Sequence, residues 1–271
     1  MTQKLLLAAS LALVLTAAQS SVAALPSTAT SAWETLNKGL VAGDPEHRKQ
    51  AIAALGTLGD VPEAVSPIEK ALQDKDALVR QVAAATLGDM HAVDAIPYLK
   101  TALDDNAEVS FTAAKALWDL GDTSGRWIFQ QVLEGERKDA PGPMKEAIRK
   151  AKHKLHSPSQ LALMGAKEAT GQFLGPASMS INVAQQVMKD GGAAGRTAAV
   201  GILAKDSDPY ALTLLEWALG DKSWAVRAAV AKALGERGNH DTVPKLMPLL
   251  SDEHHLVRFM AAASIVKLSR Q

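Results

Sequence analysis

The chain contains no cysteine. That excludes disulfides, thiolate-held metal and an acylated lipoprotein cysteine, so whatever compartment the protein occupies, its core must suffice for stability. It also lacks an excess of charge of either sign, with 29 Lys and Arg against 29 Asp and Glu. Nucleic-acid binding depends on neutralising phosphates with a basic field, and no such field is available here. A long apolar run is missing as well. The stretch from Leu5 to Ala18 is shorter than the roughly 20 residues a spanning helix needs.

That stretch follows Lys4 and ends in small residues around Ser21, Val22, Ala23 and Ala24. A basic start, a short apolar run and a small-residue end form the pattern of a secretory signal peptide. The expectation is therefore a leader over residues 1–24, cleaved after Ala23 or Ala24, and an exported, periplasmic or secreted mature chain with no membrane span. Loss of Lys4 leaves that chain with a formal charge of about −1.

What the mature chain does have is a repeat. Arg196, Arg227 and Arg258 are spaced by 31 residues, each with an aspartate six residues earlier (Asp190, Asp221, Asp252) and an aliphatic residue seven later (Leu203, Leu234, Ile265). Asp74, Arg80 and Leu87 fit the same frame in the N-terminal half. A fixed period of this length marks stacked supersecondary units, each too small to bury its apolar face alone. In the second helix of the clearest copy, Val226, Ala229, Val230 and Leu234 recur at intervals of three and four and share one face. Second helices start at Asp44, Asp76, Asn106 and Ser223, residue types that accept bonds from free helix N–H groups, and Pro45 follows at the tolerated first position. Seven helix pairs are expected, near residues 30–58, 64–88, 94–120, 124–155, 179–204, 208–236 and 241–269, the fourth of them degenerate.

The segments DKDALVRQVAAATLGD and DKSWAVRAAVAKALGE resemble HEAT repeats, in particular the short form named after phycobilisome lyases. The resemblance covers the mature chain except residues 156–178 and the loop 135–142. It implies an all-α, right-handed solenoid of about seven hairpins over residues 25–271, interrupted by an insertion at 156–178, with the second helices lining a concave face. Similar proteins are usually protein-binding scaffolds.

Each repeat arginine lies beside core aliphatics on its helix, so its guanidinium is expected to bridge turn aspartates of adjacent units rather than to bind ligand. The ladder has gaps: Ala42 stands for aspartate in the first unit, and Ser110 for arginine in the third, although Asp104 remains. SIVK at Ser264–Lys267 matches the Ser-x-x-K pattern without its partner motifs, and the repeat frame already places Ile265 and Leu268 in the core. His153 with His156, and Asp252, Glu253, His254 and His255, supply no complete ligand set, so no metal or other cofactor is expected. HEAT-like di-iron hydroxylases carry His-Glu directly after the repeat arginine. Gln81 with Val82, and Ala228 with Ala229, stand there in this chain. The implied activity is not carried over, and phycobilin attachment does not suit an exported chain.

Positions one, five and nine after the arginine slot are expected to face the concave side: Phe111, Lys115 and Asp119, then Ala228, Lys232 and Glu236, then Phe259, Ala263 and Lys267. The two phenylalanines are candidate anchors for a partner. Trp118 and Trp224 are expected at unit junctions. From Ala169 to Met188 there is no charge, and Leu161, Met164, Phe173, Leu174 and Met179 form either a cover over the core or an adaptable docking surface. Together these features lead to an expectation of an exported, non-enzymatic scaffold. It would take protein or peptide through Phe111, Lys115, Phe173, Leu174, Lys232 and Phe259. The alternative is a ligand-binding or enzymatic protein with its site at residues 156–190.

Overall fold

The helical frame is built by local chemistry that the sequence announces. In the structure, a computed structural model describing residues 24–129 and 193–270, Asp44 accepts from the Glu46 N–H at 2.9 Å and starts a helix at Pro45. Asp76 accepts from the N–H groups of Leu78 and Val79, and Asn106 from that of Val109. Each cap satisfies donors that a helix start leaves orphaned. Ser223 also occupies a cap position, but its side chain makes no capping bond.

The described helices are α1 (Ala24–Leu40), α2 (Pro45–Gly56), α3 (Pro62–Ala71), α4 (Ala77–Asp89), α5 (Ile96–Thr101), α6 (Ala107–Asp119), α7 (Ala193–Lys205), α8 (Pro209–Ala218), α9 (Trp224–Arg237), α10 (Val243–Leu246) and α11 (His255–Leu268). A further helix begins at 126. No strand occurs among the described residues. The fold is an α-solenoid in which α2, α4, α6, α7, α9 and α11 are the second helices of their units. The expected leader over 1–24, the body of the fourth unit and the insertion at 156–178 lie outside the described residues, apart from Ala24 at the start of α1.

Glycine explains how closely the second helices approach. A Cβ on Gly56 would lie 2.5 Å from the Thr86 side chain, one on Gly88 2.9 Å from the Ala116 Cβ, and one on Gly235 2.5 Å from Ser264 Oγ. Gly56, Gly88 and Gly235, each following a leucine near the end of a second helix, are thus the contact points with the second helix of the next unit. Ser264 itself donates to the Ala231 carbonyl across that contact at 2.8 Å, a structural use of the serine in SIVK.

Spatial order differs from chain order. The second helices stack as α7, α9, α11, α2, α4, α6, so the last unit packs directly on the first. Helix α1 lies across both α11 and α2. Phe259 fits against Gly39, where a Cβ would come within 2.5 Å of the ring. Lys267 Nζ donates to the Thr57 carbonyl at 3.2 Å, Arg270 pairs with Glu63 at 3.2 Å, and the Arg270 guanidinium lies 5.5 Å from the centre of the Trp33 ring. The terminal units of a solenoid ordinarily need polar outer faces. Here they cap each other, and one apolar core runs through both halves.

Candidate functional site

The arginine ladder is a structural device and follows the rule expected of it. Arg48 holds Asp74 through Nε and Nη2 at 2.7 and 2.8 Å, and Arg80 holds Asp105 at 2.6 and 2.7 Å. Arg196 holds Asp221 at 2.8 and 3.1 Å, and Arg227 holds Asp252 at 2.8 and 2.9 Å. Except for Arg80, each partner is the ladder aspartate of the following unit. Arg80 takes Asp105 rather than Asp104, because the turn before α6 presents the later carboxylate. The remaining guanidinium nitrogen ties down the arginine's own turn, as when Arg227 Nη1 donates to the carbonyls of Asp221 and Lys222 at 2.9 and 3.1 Å. Burial alone would push the Asp252 carboxyl up. The Arg227 guanidinium and the His254 N–H outweigh it and hold that carboxyl below its usual value.

The expected concave positions part company in the structure. Phe111 is 41% exposed and meets Phe129 edge-on at 5.6 Å between ring centres. Lys115 is exposed and paired with Asp119 on its own helix. Phe259, by contrast, is 4% exposed: it fills the junction of the last and first units, so the expectation of a wet anchor there is corrected. Ala228 and Ala263 are buried too. Phe173 and Leu174 lie outside the described residues. Trp224 stacks on His254 of the following unit at 4.0 Å, whereas Trp118 is half exposed and meets Phe129 edge-on.

Lys232 does face an opening. Helices α7 and α9 border a half-open cleft of about 720 Å³, walled by Val200, Ala204, Ala229 and Ala233 and edged by Lys205, Lys232 and Glu236. Small side chains on the facing helices leave this space, and the opposed helix ends are fixed by Arg237, which donates to the Leu203 carbonyl at 2.9 Å and also reaches that of Asp206. Lys232 Nζ stands 3.4 Å from Glu236 Oε1, with the lysine side chain mostly covered and the glutamate about half exposed. An ammonium and a carboxylate at the edge of an apolar wall can orient a small molecule that has an apolar body and a charged head. Sequence pattern placed Lys232 and Glu236 on this side but gave no sign of the cleft, since its α7 wall is built from unremarkable Gly and Ala positions.

The family signature of HEAT repeats matches residues 34–134 and 181–266, and the chain belongs to that family. Within it, the chain is similar to deoxyhypusine hydroxylase-B of Oryza sativa subsp. japonica, with 29% identity over 240 residues, covering 83% of this chain and 77% of that protein. Among solved structures, human deoxyhypusine hydroxylase in complex with glycerol is 22% identical, covers 89% of this chain and 98% of its own, and superposes with a TM-score of 0.34. The complex of CpcE and CpcF of phycocyanin lyase from Nostoc sp. PCC7120 is 19% identical, with coverages of 86% and 93% and a TM-score of 0.33.

Similarity to a hydroxylase over most of the chain overturns the expectation of a non-enzymatic scaffold. The repeat frame could not have shown this, because it constrains packing positions and leaves surface chemistry open. The metal chemistry of HEAT-type hydroxylases is a separate matter. The two residues after each arginine are Lys49–Gln50, Gln81–Val82, Thr197–Ala198, Ala228–Ala229 and Phe259–Met260. These contain neither imidazole nor carboxylate, and two of the pairs, Ala228–Ala229 and Phe259–Met260, have no side chain able to ligate a cation through oxygen or nitrogen. Among the described residues no group of three or more His, Asp or Glu is placed to hold a metal ion. The described residues do not fit a di-iron centre.

Proposed function

We propose that this chain is an enzymatic or small-ligand-binding member of the HEAT-repeat family whose ligand occupies the cleft between α7 and α9. The observation that carries this reading is the cleft itself, with apolar walls and the Lys232–Glu236 pair at its edge. The likeness to a hydroxylase supports a catalytic use of such a site. The ligand class follows from the lining: an apolar body of a few carbons against Val200, Ala229 and Ala233, and a carboxylate opposite Lys232. Glu236 stands where it would accept a hydrogen bond or a proton from a donor on the same ligand. The chemistry proposed does not route through ligands placed after the repeat arginines.

The leader-like residues 1–24 are part of the same proposal, and they put the ligand outside the cytoplasm. N-terminal sequencing of the protein from its host tests this, with Ala24 or Leu25 expected as the first residue.

Three probes of matched size separate the ligand classes: hexanoate, norleucine and hexylamine. Isothermal titration is expected to show binding of the two carboxylate-bearing probes and none of hexylamine, with the binding lost in Lys232→Ala. Equal binding of hexanoate by wild type and Lys232→Ala contradicts the assignment.

A further inference from the structure

The junction between the last unit and the first breaks the rule that the other described arginine junctions obey. Ala42 occupies the ladder slot, since its carbonyl accepts from Arg48 Nη1 at 2.8 Å just as the Asp74 carbonyl accepts from Arg80. Its methyl group stands where the other units carry a carboxylate. Arg258, the arginine that faces this slot across the stack, makes the usual bonds to its own turn, to the carbonyls of Asp252 and Glu253. It pairs with no carboxylate among the described residues. Its Nη2 is turned instead to the ring of His255, which lies against that of His47, tilted by 41° with ring centres 3.3 Å apart. His47 belongs to α2 and His255 to α11, so the two imidazoles and the guanidinium converge from both sides of the junction.

From these contacts we infer that the junction is a binding site for a small monocarboxylate, held by Arg258 with His47 and His255 in the place of the missing aspartate side chain. Acetate is the aspartate side chain cut at Cα, and Ala42 supplies no carboxylate of its own in that slot. The acidic group near the cluster is Asp44. It is already used as the cap of α2, and its other oxygen stands 3.8 Å from His47 Nε2. Helix α1, which also packs here, brings Gly39 and Leu40 to this end of the junction. The electrostatics agree with a cation short of a partner: burial, then the charges of Arg258 and His47, hold the His255 imidazolium below its usual pKa, against a smaller opposing pull from Asp44. A bound carboxylate would pull in the same direction as Asp44, upward. The site is separate from the α7/α9 cleft, it takes a carboxylate no longer than the aspartate side chain it replaces and so not hexanoate, and neither proposal depends on the other.

The test uses the full chain, with sodium acetate as probe and chloride adjusted to constant ionic strength. Acetate is expected to stabilise the wild type saturably, with the folded-to-unfolded ratio raised about elevenfold at ten times its dissociation constant, and to raise the His255 titration midpoint followed by NMR. Ala42→Asp supplies the carboxylate covalently, so it is expected to be more stable without acetate and indifferent to it. Arg258→Gln is expected to lose the response as well, and it serves if Ala42→Asp does not fold. Lys232→Ala is expected to retain the response, which separates this site from the cleft. The inference is overturned if acetate leaves the wild type unchanged, if Ala42→Asp or Arg258→Gln responds as the wild type does, or if inorganic phosphate stabilises the wild type and acetate does not.

Discussion

Replacing Arg227 by alanine removes five donors from the most enclosed rung of the ladder. The arginine side chain is 10% exposed and that of Asp252 8%, so the carboxylate left behind is shielded from water on nearly all sides. It keeps the His254 N–H at 2.8 Å and loses both guanidinium bonds. Breaking a buried pair by removing one partner costs about 3–5 kcal/mol, because the surviving charge is uncompensated. Arg196 provides the internal comparison. It makes the same bidentate contact to Asp221, but its side chain is 35% exposed, and pairs that water can reach contribute about 0–1 kcal/mol. Urea unfolding of both alanine variants, followed by circular dichroism with the slope checked for constancy, is expected to rank Arg227→Ala well above Arg196→Ala. Asp252→Asn with Arg227→Ala completes a double-mutant cycle, in which the pair is expected to couple. If Arg227→Ala is destabilised no more than Arg196→Ala, burial does not set the worth of these pairs and the argument from enclosure fails.

Acidification should weaken the fold in two stages. His254 is half-buried, stacked on Trp224, with its pKa lowered to about 4 chiefly by that burial. The unfolded chain therefore binds the proton first, and stability present above about pH 6.5 is lost as pH falls toward 4. The slope of unfolding free energy between pH 7 and 4.5 should flatten in His254→Gln, and an unchanged slope would point to other groups. Below that range Asp74, Asp105, Asp221 and Asp252, all held below their usual values, lose their contribution as they protonate, which an acid titration of the same variant resolves. Gly235→Ala is expected to cost about 1–3 kcal/mol by overpacking against the Ser264 backbone and side chain, read from its denaturant midpoint; Gly59→Ala supplies a control with open space but a left-handed φ of 78°. Gln50 is buried with its Oε1 unpartnered and its Nε2 on Glu46 Oε1 at 3.2 Å, so Gln50→Met should leave the melting temperature level or higher, and a clear fall would show that the bond to Glu46 outweighs the unpartnered oxygen.

Much of the frame was legible because packing demands are local and periodic. The arginines and the capping Asp44, Asp76 and Asn106 each announce their role through residue type and spacing. Arg80 shows the limit of register: two aspartates in a row, Asp104 and Asp105, leave the choice to the turn's backbone, which spacing does not encode. Phe259 shows a deeper limit. Its position is equivalent to the exposed Phe111, yet it is buried because the last unit packs on the first, a contact between residues more than 200 positions apart that no repeat pattern contains. The same contact gives meaning to Ala42, which in the sequence is simply a gap in the ladder. The α7/α9 cleft was illegible for a different reason: Gly201, Ala229 and Ala233 look like ordinary close-packing residues, and nothing in their spacing marks them as the lining of an opening.

The claim on which the functional account rests is that a small carboxylate-bearing molecule is held by Lys232 between α7 and α9. Its most direct test is a calorimetric titration of hexanoate into the wild-type chain, Lys232→Ala and Arg258→Gln at neutral pH. The account predicts binding by the wild type, its loss in Lys232→Ala and its retention in Arg258→Gln. Binding that survives in Lys232→Ala, or no binding by the wild type, contradicts it.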